Sequence, residues 1–421
     1  MGFRVPITIK DAERLEELSG RDVELVYPLI YGAGKQSRHR GRIQLGSPVD
    51  LQNYEFTALF DWIEIGVTTP GAHQPVNIHN KLDKHWQGRA FSSTFVSGPN
   101  REKGHYVGSE FYIKFHDPEP FWLRTCLAWL VKEYRIAVPG PDEVRLSGIE
   151  VSLDVYPTRR SDLDDSARAL QRMAMTSVLQ KHIVVPEAFD KKARRRPRFV
   201  FGPDGIASKT ELWSEKPGKL DASLRARAHD AGIDPKEASL LLPEAHNSAF
   251  PGATLYIGDR DEVVMLRCMD KISDHRLSSD DYESLPPRKR RSRVEFTLQE
   301  KRWESPKGPA QVGLATVGDI SSKRLRRFNK LLRFARPAFP RDEEDPDKPD
   351  ERERMIFTRS GFAGLNRAQR VGYRISNGGK EPQTKSPWSM GFGAAFSKIN
   401  SRVGRALDGL QERWARDWGE G

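Results

Sequence analysis

Residues 145–156 read RLSGIEVSLDVY, an alternating run whose period of two puts Glu150, Ser152 and Asp154 on one face of a strand. Ile149, Val151 and Leu153 fall on the other. Such a strand is ordinarily half of a sheet with one polar face turned to water. More acidic and basic groups follow in the same kind of setting. From Gly252 the hairpin GATLYIGDRDEVVMLRCMDK ends in Arg267, Asp270 and Lys271, and the later strand RSRVEFTLQE carries Arg293 and Glu295. On neighbouring strands, Glu150, Asp154 and Glu295 would offer oxygen ligands to Mg²⁺ or Mn²⁺, with Asp270 nearby. Such an ion polarises a phosphate and stabilises a leaving oxygen. Arg267 and Lys271 would steady that phosphate.

The rest of the composition agrees with a polyanionic partner. The 421 residues carry a formal net charge of +11, and arginine forks match phosphate geometry. Three clusters are expected DNA contacts. KKARRRPR (191–198) holds Arg194, Arg195 and Arg196, and PPRKRRSR (286–293) holds Arg288, Lys289, Arg290 and Arg291. KRLRRFNKLLR (323–333) would be an amphipathic helix, with Leu325, Phe328, Leu331 and Leu332 inward and Lys323, Arg324, Arg326 and Arg327 outward. Such a helix also suits an anionic membrane surface, but no anchor accompanies it, and two further clusters favour DNA.

Other chemistries are disfavoured. Cys126 and Cys268 lack metal-ligand spacing and sit in apolar runs, so buried thiols are expected. The histidines never form a His-hydrophobic-His triplet, and GAGKQSRHRGR lacks the spacing of a phosphate-binding loop. With no signal-like apolar start and no long apolar run, a cytoplasmic protein is expected.

Alternation predicts strands at 56–67, 107–116 and 145–156, a hairpin at 253–271 and a strand at 293–298. Helical spacing marks 121–136, Ser161–His182 with Ser161 or Asp162 as cap, a helix around 220–230, and a tail helix at 400–418. RDEEDPDKPDERER (341–354) reads as a disordered linker. These signals divide the chain into an N-terminal extension (1–50), a core (51–300) with an insertion at about 186–250, a basic helical region (301–340), and a linker with tail helix (341–421).

FDWIEIGV (60–67), GIEVSLDVY, ATLYIGDRDEVVMLRCMDK and RSRVEFTL, in that order, resemble the replication initiation proteins of rolling-circle plasmids and filamentous phages. The resemblance covers roughly residues 56–300. It implies an α+β fold of antiparallel β-sheets with helices packed on one face, followed here by a basic C-terminal helical extension. It also implies origin binding and metal-dependent strand nicking and joining. In that family a tyrosine attacks one origin strand, leaving a 5′-phosphotyrosyl link and a free 3′-hydroxyl. Double- and single-stranded origin DNA are the implied partners, together with a host helicase and a second copy in a homodimer, and no membrane. The family motif Arg-x-Tyr-acidic-Lys is matched by Arg267, Asp270 and Lys271, but Met269 stands at the tyrosine position. Methionine is no nucleophile toward a phosphodiester. Tyr256, expected to pair near Val264, and Tyr282, in the acidic segment DDYESLPP, are the remaining candidates; Tyr156 and Tyr112 read as packing residues. The alternative is a non-catalytic DNA-binding replication or regulatory protein that has lost its nucleophile.

Overall fold

Alternating apolar positions build the central sheet, because each strand must bury one side. The computed structural model describes residues 2–21, 23–31, 37–101, 106–158, 164–185, 197–201, 208–214, 220–259, 262–276, 282–301, 303, 308–322, 325–383 and 386–419. In chain order the elements begin with β1 (Gly2–Pro6), α1 (Ala12–Glu17), β2 (Glu24–Ile30), β3 (Arg42–Leu45), β4 (Tyr54–His73), α2 (Pro75–Trp86), β5 (Ser93–Ser97) and β6 (Gly108–His116). There follow α3 (Pro120–Glu133), β7 (Arg145–Pro157), α4 (Asp165–His182), β8 (Arg198–Phe201), β9 (Ser208–Glu211), α5 (Ala222–Asp230) and α6 (Pro235–Ala238). Next come β10 (Thr254–Ile257), β11 (Val264–Lys271), β12 (Ser273–Arg276), β13 (Tyr282–Ser284) and β14 (Arg291–Gln299). The last are α7 (Gly318–Ser322), β15 (Ala335–Pro340), α8 (Glu351–Ser376), β16 (Gly393–Ala395) and α9 (Ser397–Gly419).

The fold is α+β with antiparallel sheets, as expected. Nine strands form one sheet in the order β5-β6-β4-β7-β14-β11-β10-β8-β9. Its apolar side, including Phe60, Ile63, Val151, Leu153, Val294 and Phe296, is buried under helices. Helix α4 lies across β7, β14 and β11, and α9 lies along β4. The tail helix is amphipathic as its spacing predicts: Val403, Leu407, Leu410 and Trp414 are all buried. Trp414 meets Phe60 edge to face at 4.8 Å between ring centres, a contact that adds to the apolar area it buries. Cys126 and Cys268 are free, buried thiols.

A second sheet, in the order β1-β2-β3-β15-β16, joins segments from both ends of the chain. The stretches expected as separate extension and tail therefore share one sheet. Under it His182 is buried, with Nδ1 2.6 Å from the Ala335 carbonyl and Nε2 3.1 Å from the Tyr27 hydroxyl. Burial pushes its pKa down to about 3, so the ring is neutral, donating from Nδ1 and accepting at Nε2.

Three local expectations change. The 341–354 stretch is not a disordered linker. Asp342 accepts the backbone N–H groups of Glu344 and Asp345, and Asp350 caps α8 through Glu353 N at 2.8 Å. In the basic 323–334 segment the described residues, from Leu325 on, form a short 3₁₀ turn over Leu325–Lys330 rather than a long helix, although Leu325, Phe328, Leu331 and Leu332 are buried as expected. Helix α4 is capped by Asp164, whose side chain accepts from Ala167 N at 2.6 Å; Ser161 and Asp162 lie outside the described residues. Within the expected insertion, Arg198–Phe201 and Ser208–Glu211 add β8, paired to β10, and the edge strand β9.

Candidate active site on the polar face of the sheet

Strand register turns the sequence motifs into rows of side chains. Across β4, β7, β14 and β11, one row runs Thr57, Asp154, Arg293, Met269. The next runs Leu59, Ser152, Glu295, Arg267, and continues through Tyr256 to Arg198. On β4 the register slips between Phe60 and Trp62, which face Val151 and Glu150. Asp61 is the extra residue of this β-bulge, and the bulge aims it at the polar face, where Ser152 Oγ donates to its Oδ2. As a result Asp61, Glu150 and Glu295 each place one carboxylate oxygen within 4.8 Å of the others.

The expected triad was Glu150, Asp154 and Glu295. Glu150 and Glu295 do meet, but Asp61 completes the group. Asp154 is engaged elsewhere: Arg293 donates to it twice, at 2.5 and 2.7 Å, and Arg291 Nε lies 2.8 Å away. Asp270 does not join them. It faces the helices, where Arg14 Nε (2.8 Å) and Arg172 Nε (2.6 Å) clasp a side chain with no solvent exposure. Neighbours in a strand point to opposite faces, so a motif that names Arg267, Asp270 and Lys271 together divides between the two sides.

Two arginines interleave the three carboxylates. Arg293 Nη1 lies 3.2 Å from both Asp61 oxygens and 3.6 Å from Glu295. Arg267 Nη2 lies 3.2 Å from Glu150 and also contacts Glu295. Burial works against both guanidinium charges, but the adjoining carboxylates outweigh it and raise both pKa values. Burial pushes Glu295 up to about 7; Arg267 opposes this, and the nearby Glu150 and Asp61 charges reinforce it. Asp61 is raised as well, by burial against the pull of Arg293. Burial is thus what chiefly disfavours the charged carboxylates here, and the arginines offset it only in part.

That arrangement suits a hard divalent cation, which prefers carboxylate oxygens. Glu295 Oε2 is buried and accepts no hydrogen bond, because Arg267 approaches it without hydrogen-bond alignment. Arg267 is also the more exposed of the two cations, with 23% of its side chain accessible against 3% for Arg293.

The remaining expected residues divide. Tyr256 pairs with Arg267, not near Val264, because Gly258 (φ +85°) turns the chain early and brings Ile257 opposite Leu266. This moves Tyr256 into the row of Glu295, with Arg198 5.7 Å from its ring centre. Lys271 ends β11 and pairs with Asp274 at 2.6 Å. Tyr282 has its backbone in the small β12–β13 hairpin, outside the large sheet. Tyr156, expected only to pack, also faces the polar side, its hydroxyl 3.5 Å from Asp154. Tyr112 is buried with its hydroxyl 3.4 Å from Glu300.

Of the basic clusters, Arg288 and Lys289 are exposed on the turn before β14. Arg290 instead binds Glu17 (2.5 Å) and Glu13 (3.2 Å), and Arg291 is buried against Asp154. Arg326 and Arg327 are exposed, Arg326 with Asp408 at 3.3 Å. Arg194, Arg195, Arg196, Lys323 and Arg324 lie outside the described residues. Asp61 was missed as a ligand; its signal was a lone carboxylate inside the aromatic run FDW. No helix of the described residues is long and apolar enough to cross a membrane. No family model, curated protein or solved structure matches the chain, so no family is assigned to it.

Proposed function

We propose that the polar face is a metal-dependent site for nicking and rejoining a DNA strand, serving replication initiation in the cytoplasm. The observation that carries this reading is the convergence of Asp61, Glu150 and Glu295 beside Arg267 and Arg293. These three carboxylates would hold Mg²⁺ or Mn²⁺, which when bound supplies Lewis-acid polarisation of a phosphate. Arg267, once released from Glu150 and Glu295, and Lys271 would hold the non-bridging oxygens. Tyr256, in the same row as Arg267, is the nucleophile of this reading. Its hydroxyl oxygen bonds to phosphorus, the bond to the 3′-oxygen breaks, and the phenol's proton ends on the released 3′-hydroxyl.

The test is incubation with supercoiled plasmid and with single-stranded oligonucleotides, with Mg²⁺ or Mn²⁺, followed by denaturing electrophoresis. Nicked circles and a protein–DNA adduct that survives detergent are expected. Intact DNA and no adduct under any of these conditions would sink the reading.

One observation favours a second function. Met269 shares the polar face with Arg293 and Asp154, where the resembling family carries its tyrosine, and a thioether cannot attack phosphorus. A strand-binding replication or regulatory protein without cleavage would retain DNA affinity and show neither nick nor adduct.

A further inference from the structure

Away from the nine-stranded sheet, β3, α5 and α8 border a cavity of about 320 Å³. That lies inside the roughly 300–1,000 Å³ range of small-molecule sites. The buried part of its lining is apolar, with Leu224, Ile356, Ala368, Ile375 and Phe392. The exposed part is not: Arg227, Arg352 and Tyr373 stand there with their side chains in reach of solvent.

Arg42 adds a third guanidinium to the lining. It is half-buried, with Nη1 donating to the Ala338 carbonyl at 2.6 Å and Cζ 5.8 Å from the Phe392 ring centre. Among the described residues, Arg42, Arg227 and Arg352 are in no ion pair. Burial lowers the pKa of Arg42, and Glu353 opposes this without overcoming it. A desolvated cation with too little counter-charge behaves in this way. Glu353 is the one carboxylate among the lining residues, and burial pushes it up to about 7. Three guanidiniums therefore face at most one negative charge.

A polar group inside the cavity is also unmet. Gln369 is 6% exposed, and its Nε2 donates to Glu353 Oε2 at 2.6 Å. Its Oε1 is buried and accepts no hydrogen bond. An orphaned buried acceptor is costly, and a bound N–H or O–H group would satisfy it. The apolar walls ask for a hydrophobic body, and the arginines ask for an acidic group. Guanidinium forks match carboxylate and phosphate oxygens alike.

We propose that this cavity binds a small organic anion, an apolar or aromatic body carrying a phosphate or a carboxylate. The body lies against Ile356 and Phe392, and Arg42, Arg227 and Arg352 hold the acidic group. None of the lining residues belongs to the nine-stranded sheet, so the site stands apart from the carboxylate trio and from any reading of it.

The test uses anilinonaphthalene sulfonate, an aromatic anion whose fluorescence rises in apolar surroundings, titrated against the full chain. The double variant R227E/R352E is compared with R89E/R405E, which makes the same charge change at exposed positions elsewhere. R227E/R352E is expected to weaken binding by about tenfold or more, the size of a lost charge-assisted contact. R89E/R405E should leave affinity close to that of the wild type. Gly372→Leu keeps the charge and adds bulk to the lining, since a Cβ there meets only Leu241 Cδ2 at 3.5 Å. It should abolish binding while the melting temperature holds. Adenosine monophosphate and octanoate serve as competitors: displacement by the first assigns the site to nucleotides, and by the second to fatty acids. Unchanged affinity in R227E/R352E, equal losses in the two double variants, or displacement by neither competitor would overturn the site.

Discussion

Glu295 in its charged form weakens the fold, and the effect can be measured. Its pKa rises from an ordinary 4.5 to about 7. The folded chain therefore holds this proton more tightly than the unfolded chain. The contribution of Glu295 to stability is greatest below pH 4.5, falls as pH rises toward 7, and changes no further above it. At about 1.36 kcal/mol for each pH unit between the two values, the ionised carboxylate costs up to about 3 kcal/mol. Glutamine cannot ionise, keeps nearly the same shape, and leaves Arg267 paired to Glu150 and Arg293 paired to Asp154. Glu295→Gln should be more stable than wild type by about 1–3 kcal/mol at pH 8 and no different at pH 4. Glu300 and Glu353 are also pushed up to about 7, chiefly by burial, so the variant keeps a shallower pH slope instead of losing it. The assay is urea unfolding at pH 4, 6 and 8. Adding Mg²⁺ at a hundred times its dissociation constant should raise wild-type stability by about 2.7 kcal/mol, and the variant's by far less. A variant less stable than wild type at pH 8 would refute the reasoning, because the arginines would then outweigh burial and carboxylate repulsion.

Asp270→Ala leaves the guanidiniums of Arg14 and Arg172 buried without their shared carboxylate, and should cost about 3–5 kcal/mol in urea unfolding without changing metal affinity. Gly361 sits at φ +63° in the kink of α8, where an added Cβ would lie 2.6 Å from the Lys181 carbonyl oxygen. Gly361→Ala should therefore lose more than about 1 kcal/mol of stability, read as a lower melting temperature. If the protein forms a DNA adduct, peptide mapping should place it on Tyr256, and Tyr256→Phe should abolish it; an undiminished adduct in that variant would move the nucleophile elsewhere.

Strands were legible wherever a buried side repeats every second residue, as in GIEVSLDVY and VEFTL. The tail helix was legible for the same reason at helical spacing. The terminal sheet was not, because β3 and β15 find each other across most of the chain and pairing over that distance leaves no local pattern. At the site, period two identified Glu150 and Glu295 but selected Asp154 over Asp61. Only the cross-strand register shows that Arg293 stands opposite Asp154, and only the bulge at Asp61 brings that carboxylate to the same face. Arg290 and Arg291 read as part of a basic surface patch because their partners, Glu17 and Asp154, are remote in sequence. The charged 341–354 stretch looked unstructured because composition does not show that Asp342 and Asp350 each receive backbone N–H groups.

Manganese titration followed by electron paramagnetic resonance asks most directly whether the carboxylate trio is a cation site. Free aqueous Mn²⁺ gives a sharp signal that disappears on binding. One ion per chain should bind the wild type, while Asp61→Asn and Glu150→Gln, with unfolding curves measured alongside, should leave the signal as it stands in buffer. Undiminished signal with the wild-type protein, or equal binding by folded Asp61→Asn, would contradict the site.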